Sequence, residues 1–384
     1  MKLIDKYIRG DRVIWVVAML LAIVSIFVVY SSIVTLAYRY QDGNTEYYLF
    51  KHSIIVLIGF IFMYAAHKLN YRYYSRMSQI FLIIAIPLLL FTLITGESIN
   101  NASRWLVIPV INQSFQTSDL AKLALIIFLA RVLSKKQDHI KDFKGAFVPI
   151  MIPVLVICAL ILPANFSTAA MLFTTSIAIM FVGRVNLSYI VSLILIGAIG
   201  VGIFVAIVLN TDGYTGRINT WKNRIENFTV GESGENYQVE QSKIAIATGG
   251  LLGKGPGRST QRNFLPHPYS DFIFATVIEE YGLLGGFGML MLYLILLYRG
   301  VLISRRSPGT FGALLAIGLS FSLVFQAMIN MAVAVNLFPV TGQPLPLVSM
   351  GGTSIWFTCL AIGIILSVSA ETELETEKEE VAYA

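Results

Sequence analysis

Ten runs of mostly apolar residues decide what this chain can fold into: 13–36, 50–67, 77–95, 117–134, 145–163, 166–183, 188–210, 271–298, 311–335 and 351–369. Each is about 18 residues or longer, the length a helix needs to cross the hydrocarbon core of a bilayer. Lipid offers no hydrogen bonds, so a segment there must satisfy its own N–H and C=O groups, and a helix does so. Only 13% of the 384 residues are charged, where a soluble chain carries roughly 25%. A water-soluble shell over these runs is therefore excluded. The expected fold is all-α: a polytopic membrane protein of about ten transmembrane helices. Residues 1–369 form a single membrane domain with one large external loop, 211–270. Residues 370–384 form an acidic cytoplasmic tail, expected to be disordered.

Basic residues set the orientation. The first run is too long for a signal-peptide core and lacks a small-residue cleavage site, so it reads as a retained helix. An even number of spans puts both termini on one side. Segments on that side hold 17 Lys and Arg, against 3 in the short opposite segments 37–51 and 96–116. The termini are therefore cytoplasmic. The seven basic residues of 211–270 do not reverse this, because long loops translocate regardless of charge. The net charge of +6 reads as topology and contact with anionic lipid, not nucleic acid. Cys158 and Cys359 lie in apolar runs and suggest neither a disulfide nor a metal site. His52, His67, His139 and His267 show no ligand spacing.

Chemistry concentrates in Gly249 to Gly282, GGLLGKGPGRSTQRNFLPHPYSDFIFATVIEEYG. Asp271 follows a proline-braced turn at the mouth of a span. It either caps that helix or is a carboxylate at the outer boundary, partly withdrawn from water and usable as a general base. Glu279 and Glu280 lie about 12 Å further down the span. Intramembrane acids mark function or a buried ion pair, and Lys122 in the fourth run is the expected partner. Asp119, three residues before Lys122, shares its helical face. Arg104, beside Trp105 at interfacial depth, would complete a mixed-charge cavity open to the outside. In the glycine loop, Lys254, Arg258 and Arg262 suit an anionic phosphate, or are solvated charges on a turn. The loop is no Walker A motif, since Gly255 follows Lys254. Elsewhere outside, Thr215 to Asn227 is basic and amphipathic, and Tyr237 to Ala247 reads as a short helix. Gly282 and Gly286 have the small-xxx-small spacing of close helix approach. Asn336 to Met350, uncharged and with three prolines, is expected to dip against the protein or membrane surface.

These residues resemble one family. LPHPYSDFIFATVIEEYG is similar to the LPE-x-x-x-DFIFA-x-x-x-EE-x-G motif of the SEDS family (shape, elongation, division, sporulation), the FtsW/RodA peptidoglycan polymerases. Ala102-Ser103-Arg104-Trp105 and Gln116-Thr117-Ser118-Asp119-Leu120-Ala121-Lys122 resemble GA-x-RW and QPSE-x-x-K. Tyr237-Gln238, Gln241-Ser242 and the glycines 249, 250, 253, 255 and 257 resemble the run YQ…QS…GG-x-x-G-x-G-x-G. Pro339 to Pro346 and Ser349 to Ser354 resemble P-x-TG-x-x-LP…SYGGSS. The chain departs from the pattern at Thr117, Asp119, Asn165, His267 and Met350. Asn165 carries no charge where the family has Asp, which removes any role there for an anion.

The resemblance implies a glycosyltransferase that joins lipid II units into glycan strands on the outer face of the bacterial cytoplasmic membrane. Asp271 matches the family's catalytic Asp. It would accept the proton of the sugar 4-hydroxyl as attack inverts the anomeric centre. Arg104, Lys122 and one or more of Lys254, Arg258 and Arg262 would offset the charge of the undecaprenyl-pyrophosphate leaving group. Glu279 would position Lys122 or, with Glu280 beside it, help hold a divalent cation such as Mg or Mn; no organic cofactor is implied. The implied partners are lipid II, the undecaprenyl-pyrophosphate-linked glycan, a class B penicillin-binding transpeptidase and other divisome proteins. The last loop and the acidic tail are closer to the division branch than to the elongation branch. Two other classes stay open at this point: a lipid II flippase, and a scaffold that activates a partner.

Overall fold

The computed structural model describes residues 9–40, 42–95, 97–99, 102–108, 113–210, 222, 236–265 and 268–383. Among them the ten expected spans are all helices: α1 Arg12–Ser32, α2 Thr45–Lys68, α3 Tyr71–Thr95, α4 Thr117–Lys135, α5 Val148–Ile161, α6 Phe166–Val182, α7 Leu187–Asn210, then α9 Ile273–Arg306, α10 Thr310–Ala334 and α11 Thr353–Tyr383. Eight of these are long and apolar enough to mark a membrane crossing, α5 when counted with the π-helical turn Phe143–Phe147 that leads into it. The two others have plain reasons for falling short. α6 has only 17 residues, and α4 carries Asp119, Lys122, Arg131 and Lys135. Outside the spans, α8 Asn236–Gly249 is the short helix expected near Tyr237. The amphipathic stretch Thr215 to Asn227 lies outside the described residues, apart from Lys222.

Helix ends follow local chemistry. Asp11 caps α1, its Oδ1 accepting from the N–H groups of Val13 and Ile14. Its other oxygen takes the Arg299 fork at 2.5 and 2.6 Å, which ties the start of α1 to the cytoplasmic end of α9. Asn165 caps α6 through the Thr168 N–H. An amide oxygen suffices for that, so the missing charge at this turn has a structural explanation. Helices meet closely where a glycine removes the side chain: a Cβ at Gly59 on α2 would press on Cys359 of α11, and one at Gly363 on α11 would strike the Met63 carbonyl.

Three expectations change. The segment before α4 is a three-stranded antiparallel sheet, β1 Glu97–Ile99, β2 Ala102–Ile108 and β3 Gln113–Gln116, in the order β1-β2-β3. The tail is not disordered. α11 continues to Tyr383, because its acids have cytoplasmic partners: Glu373 accepts the Gly10 N–H at 3.0 Å, and Glu375 pairs with Arg72 at 2.6 Å. Third, Gly282 does not serve helix–helix approach. It is a break inside α9, with φ 71° and ψ −175°.

Candidate active site

The break in α9 explains the glycine-rich loop. At Gly282 the helix loses its own i to i−4 bonds, and lipid supplies no substitute. The loop does. The Lys254 and Gly255 N–H groups donate to the Glu279 and Glu280 carbonyls, each at 2.9 Å, while the Gly250 and Leu251 carbonyls accept from Leu283 and Leu284. The chain comes this close because side chains are missing: a Cβ at Gly249, Gly253 or Gly282 would land on the opposing backbone. The contact lies about 14 Å below the start of α9 at 1.5 Å per residue. Leu251 and Leu252 are exposed on the loop.

The same loop pairs Glu279 with a lysine and donates to Glu280. Glu279, fully buried, accepts from Lys254 Nζ at 2.6 Å, from Ser259 Oγ, and from Thr260 through N at 3.0 Å and Oγ1 at 2.8 Å. Gln261 N adds a further contact at 3.2 Å. Glu280 accepts from Ser31 Oγ of α1 and Ser259 N, and Arg262 binds the Ser31 carbonyl and hydroxyl at 2.9 Å each. This corrects one expectation. The partner of Glu279 is Lys254, not Lys122, because the glycine-rich loop packs its backbone against the break in α9 and brings the lysine to the glutamate. Both oxygens of Glu279 are occupied by donors, while one Glu280 oxygen is buried without a hydrogen-bond partner among the described residues. Among the described residues no group of three His, Cys, Asp or Glu side chains is placed to hold a metal. Of the three loop cations, Arg258 is exposed and makes no side-chain hydrogen bond among the described residues.

Lys122 and Asp271 belong to a second cluster, organised by α10. Lys122 Nζ donates to Gln326 Oε1 at 2.7 Å and lies 3.6 Å from Asp119 Oδ1, as the three-residue spacing predicts. The other Asp119 oxygen is buried with no hydrogen-bond partner among the described residues. Asp119 and Lys122 border a small cavity of about 20 Å³ between α4, α10 and α11, lined also by Ser322, Ser354 and Thr358. One turn along α10 from Gln326, Asn330 Nδ2 donates to the Asp271 carbonyl at 2.9 Å. Lys122 and Asp271 are therefore held by neighbouring amides on one helix face.

Asp271 does not cap α9: the cap position is Phe272, and no side chain bonds there. Its carboxylate is partly exposed and accepts from Ser270 Oγ at 3.0 Å. Arg104 lies in β2, beside Trp105, which pairs with Gln116 at the entrance of α4. The sequence reading brought Asp271, Lys122, Glu279 and Arg104 into one cavity. The structure separates Glu279 from Lys122 and adds Gln326 and Asn330, which it missed. The signal was available: two amides four residues apart in an otherwise apolar span.

Comparison with known proteins agrees with this geometry. The family model described as cell cycle protein, FtsW/RodA/SpoVE, matches residues 11–374. Stage V sporulation protein E of Bacillus subtilis is 34% identical over 370 residues, 95% of this chain and 98% of that protein. A probable peptidoglycan glycosyltransferase FtsW of Geobacter sulfurreducens is 34% identical over 366 residues, 94% of this chain and 95% of its own length. Among solved structures, a chain of a peptidoglycan synthase complex superposes with TM-score 0.74 at 23% identity, covering 94% of this chain and 98% of that one. The rod shape determining protein RodA of Thermus thermophilus gives 0.68 at 21% identity, over 95% and 98%. At these identities the structural likeness establishes the fold.

Proposed function

We propose, of a chain that belongs to the FtsW/RodA/SpoVE family, that it is a peptidoglycan glycosyltransferase of the division branch. It joins lipid II disaccharides into glycan strands on the outer face of the bacterial cytoplasmic membrane. The observation that carries this reading is Asp271: a partly exposed carboxylate at the outer mouth of α9, its backbone fixed by α10 and its side chain not used as a cap. The relatives named as peptidoglycan glycosyltransferases support it.

In the reaction, the 4-hydroxyl of one lipid II attacks the anomeric carbon of the growing strand. Its proton passes to an Asp271 oxygen as the new C–O bond forms. The bond from the anomeric carbon to the lipid pyrophosphate breaks, and the configuration inverts. Negative charge grows on the leaving oxygen, where Lys122, Arg104 and Arg258 offset it. Lys254 and Arg262 hold the loop and α1 in place. The leaving group and the acceptor both carry polyprenyl tails that stay in lipid. A class B penicillin-binding transpeptidase is the expected partner, with other divisome proteins, since strands made here need crosslinking.

The discriminating experiment presents lipid II only on the outer leaflet of proteoliposomes holding the purified protein. A polymerase makes strands there. A flippase has nothing left to move, and absence of strands with folded protein overturns the proposal. Lys122→Ala should lower kcat per folded molecule about 10²-fold, the cost of one lost donor at a developing anion. Loss of folded protein with unchanged activity per folded molecule makes the lysine structural instead.

A further inference from the structure

Three consecutive carbonyls lead into α9, and the loop between α10 and α11 grips all three with Asn330. Met350 N–H donates to Tyr269 O at 2.9 Å, Ser349 Oγ to Ser270 O at 2.6 Å, and Asn330 Nδ2 to Asp271 O at 2.9 Å. Asn330 Nδ2 also donates to Gln343 O at 2.7 Å. One amide nitrogen thus joins Asp271 to the loop.

The loop is itself held from within the membrane. Pro344 O takes Gln326 Nε2 at 2.9 Å, Pro346 O takes the Tyr293 hydroxyl at 2.5 Å, and Val348 O takes Ser25 Oγ at 2.8 Å. The single Ser25 proton is on Val348 O, so Ser25 accepts from His52 Nε2, 2.8 Å away, and the imidazole tautomer follows. Side chains of α1, α9 and α10 therefore hold a segment that has no regular structure and contains Leu347 at φ 64°. A loop kept only to connect two helices has no need of such anchors.

Asn330 is costly to place here. It is buried, and among the described residues its Oδ1 has no hydrogen-bond partner while its nitrogen serves two carbonyls. Buried polar atoms are ordinarily satisfied, and a leucine would fill the space without the orphan oxygen. We infer that Asn330 is a positioning residue, which with Ser349 fixes the height and direction of the Asp271 carboxylate. The inference rests on the reading of Asp271 as proton acceptor. A misplacement near 1 Å at a reacting group costs about 10²-fold in rate without weakening remote substrate contacts.

The test measures kcat and KM for lipid II polymerisation, per folded molecule, in Asn330→Ala and Ser349→Ala. The expected result is a fall in kcat of at least about 10-fold in both variants, approaching 10²-fold for Asn330→Ala, with KM within about twofold of wild type. A folded variant with wild-type kcat overturns the inference, as does a raised KM at unchanged kcat. If Asn330→Ala does not fold, Ser349→Ala decides by the same criteria. Asp271→Asn run alongside separates the two readings. An active Asp271→Asn removes the base assignment itself, whereas an inactive Asp271→Asn beside fully active Asn330→Ala and Ser349→Ala removes only the positioning role.

Discussion

Gly282→Ala should leave little folded protein. At φ 71° and ψ −175° the position belongs to glycine, and its Cβ would land on the Leu251 carbonyl. That carbonyl belongs to a rigid contact, not to the end of a flexible side chain. Relief requires the loop to withdraw, which breaks the four backbone bonds that Gly250, Leu251, Lys254 and Gly255 make with α9. With about 1–3 kcal/mol for each buried group left unpaired, the loss exceeds about 4 kcal/mol, the range reserved for broken structural elements. Withdrawal also removes Lys254 and Ser259 from Glu279, leaving a buried carboxylate without its charge partner. Gly288, in the same helix, is the control. A Cβ there meets nothing within 4 Å, and Gly288→Ala should be neutral or stabilising by about 0.5–1 kcal/mol through helix propensity. Thermal unfolding of the purified variants in detergent measures both. A Gly282→Ala protein that melts with the wild type contradicts the role given to the break.

The spans were legible because each is a long apolar run and lipid permits helices alone. Asp119 and Lys122 were legible as a pair because three-residue spacing on a helix is local geometry. Partners distant in sequence were not. Lys254 and Glu279 are joined by a loop whose path depends on a helix break, and nothing in the apolar pattern around Gly282 distinguishes a break from a packing glycine. The sheet before α4 was missed because its strands are short and lie between two strong helical signals. The tail composition pointed to disorder, yet Glu373 and Glu375 meet the Gly10 N–H and Arg72 across the fold. Gln326 and Asn330 were visible as amides in an apolar run, but their role depends on where the last outer loop docks.

Asp271→Asn should abolish polymerisation while leaving the fold intact. Asparagine has nearly the same shape and keeps an oxygen to accept from Ser270 Oγ. The backbone carbonyl that Asn330 holds is unchanged. What disappears is the ability to take a proton from the acceptor hydroxyl. Loss of a general base costs about 10²–10⁴-fold, enough to remove visible glycan product from lipid II within an ordinary assay. Asp271→Glu moves the carboxylate by one methylene and should retain intermediate activity, since proton affinity survives and geometry does not. The most direct measurement is glycan formation from purified lipid II by wild-type protein and Asp271→Asn at equal folded concentration. The expected result is long strands from the wild type and none from the variant. Strands at the wild-type rate from folded Asp271→Asn would contradict the assignment of Asp271 as the catalytic base.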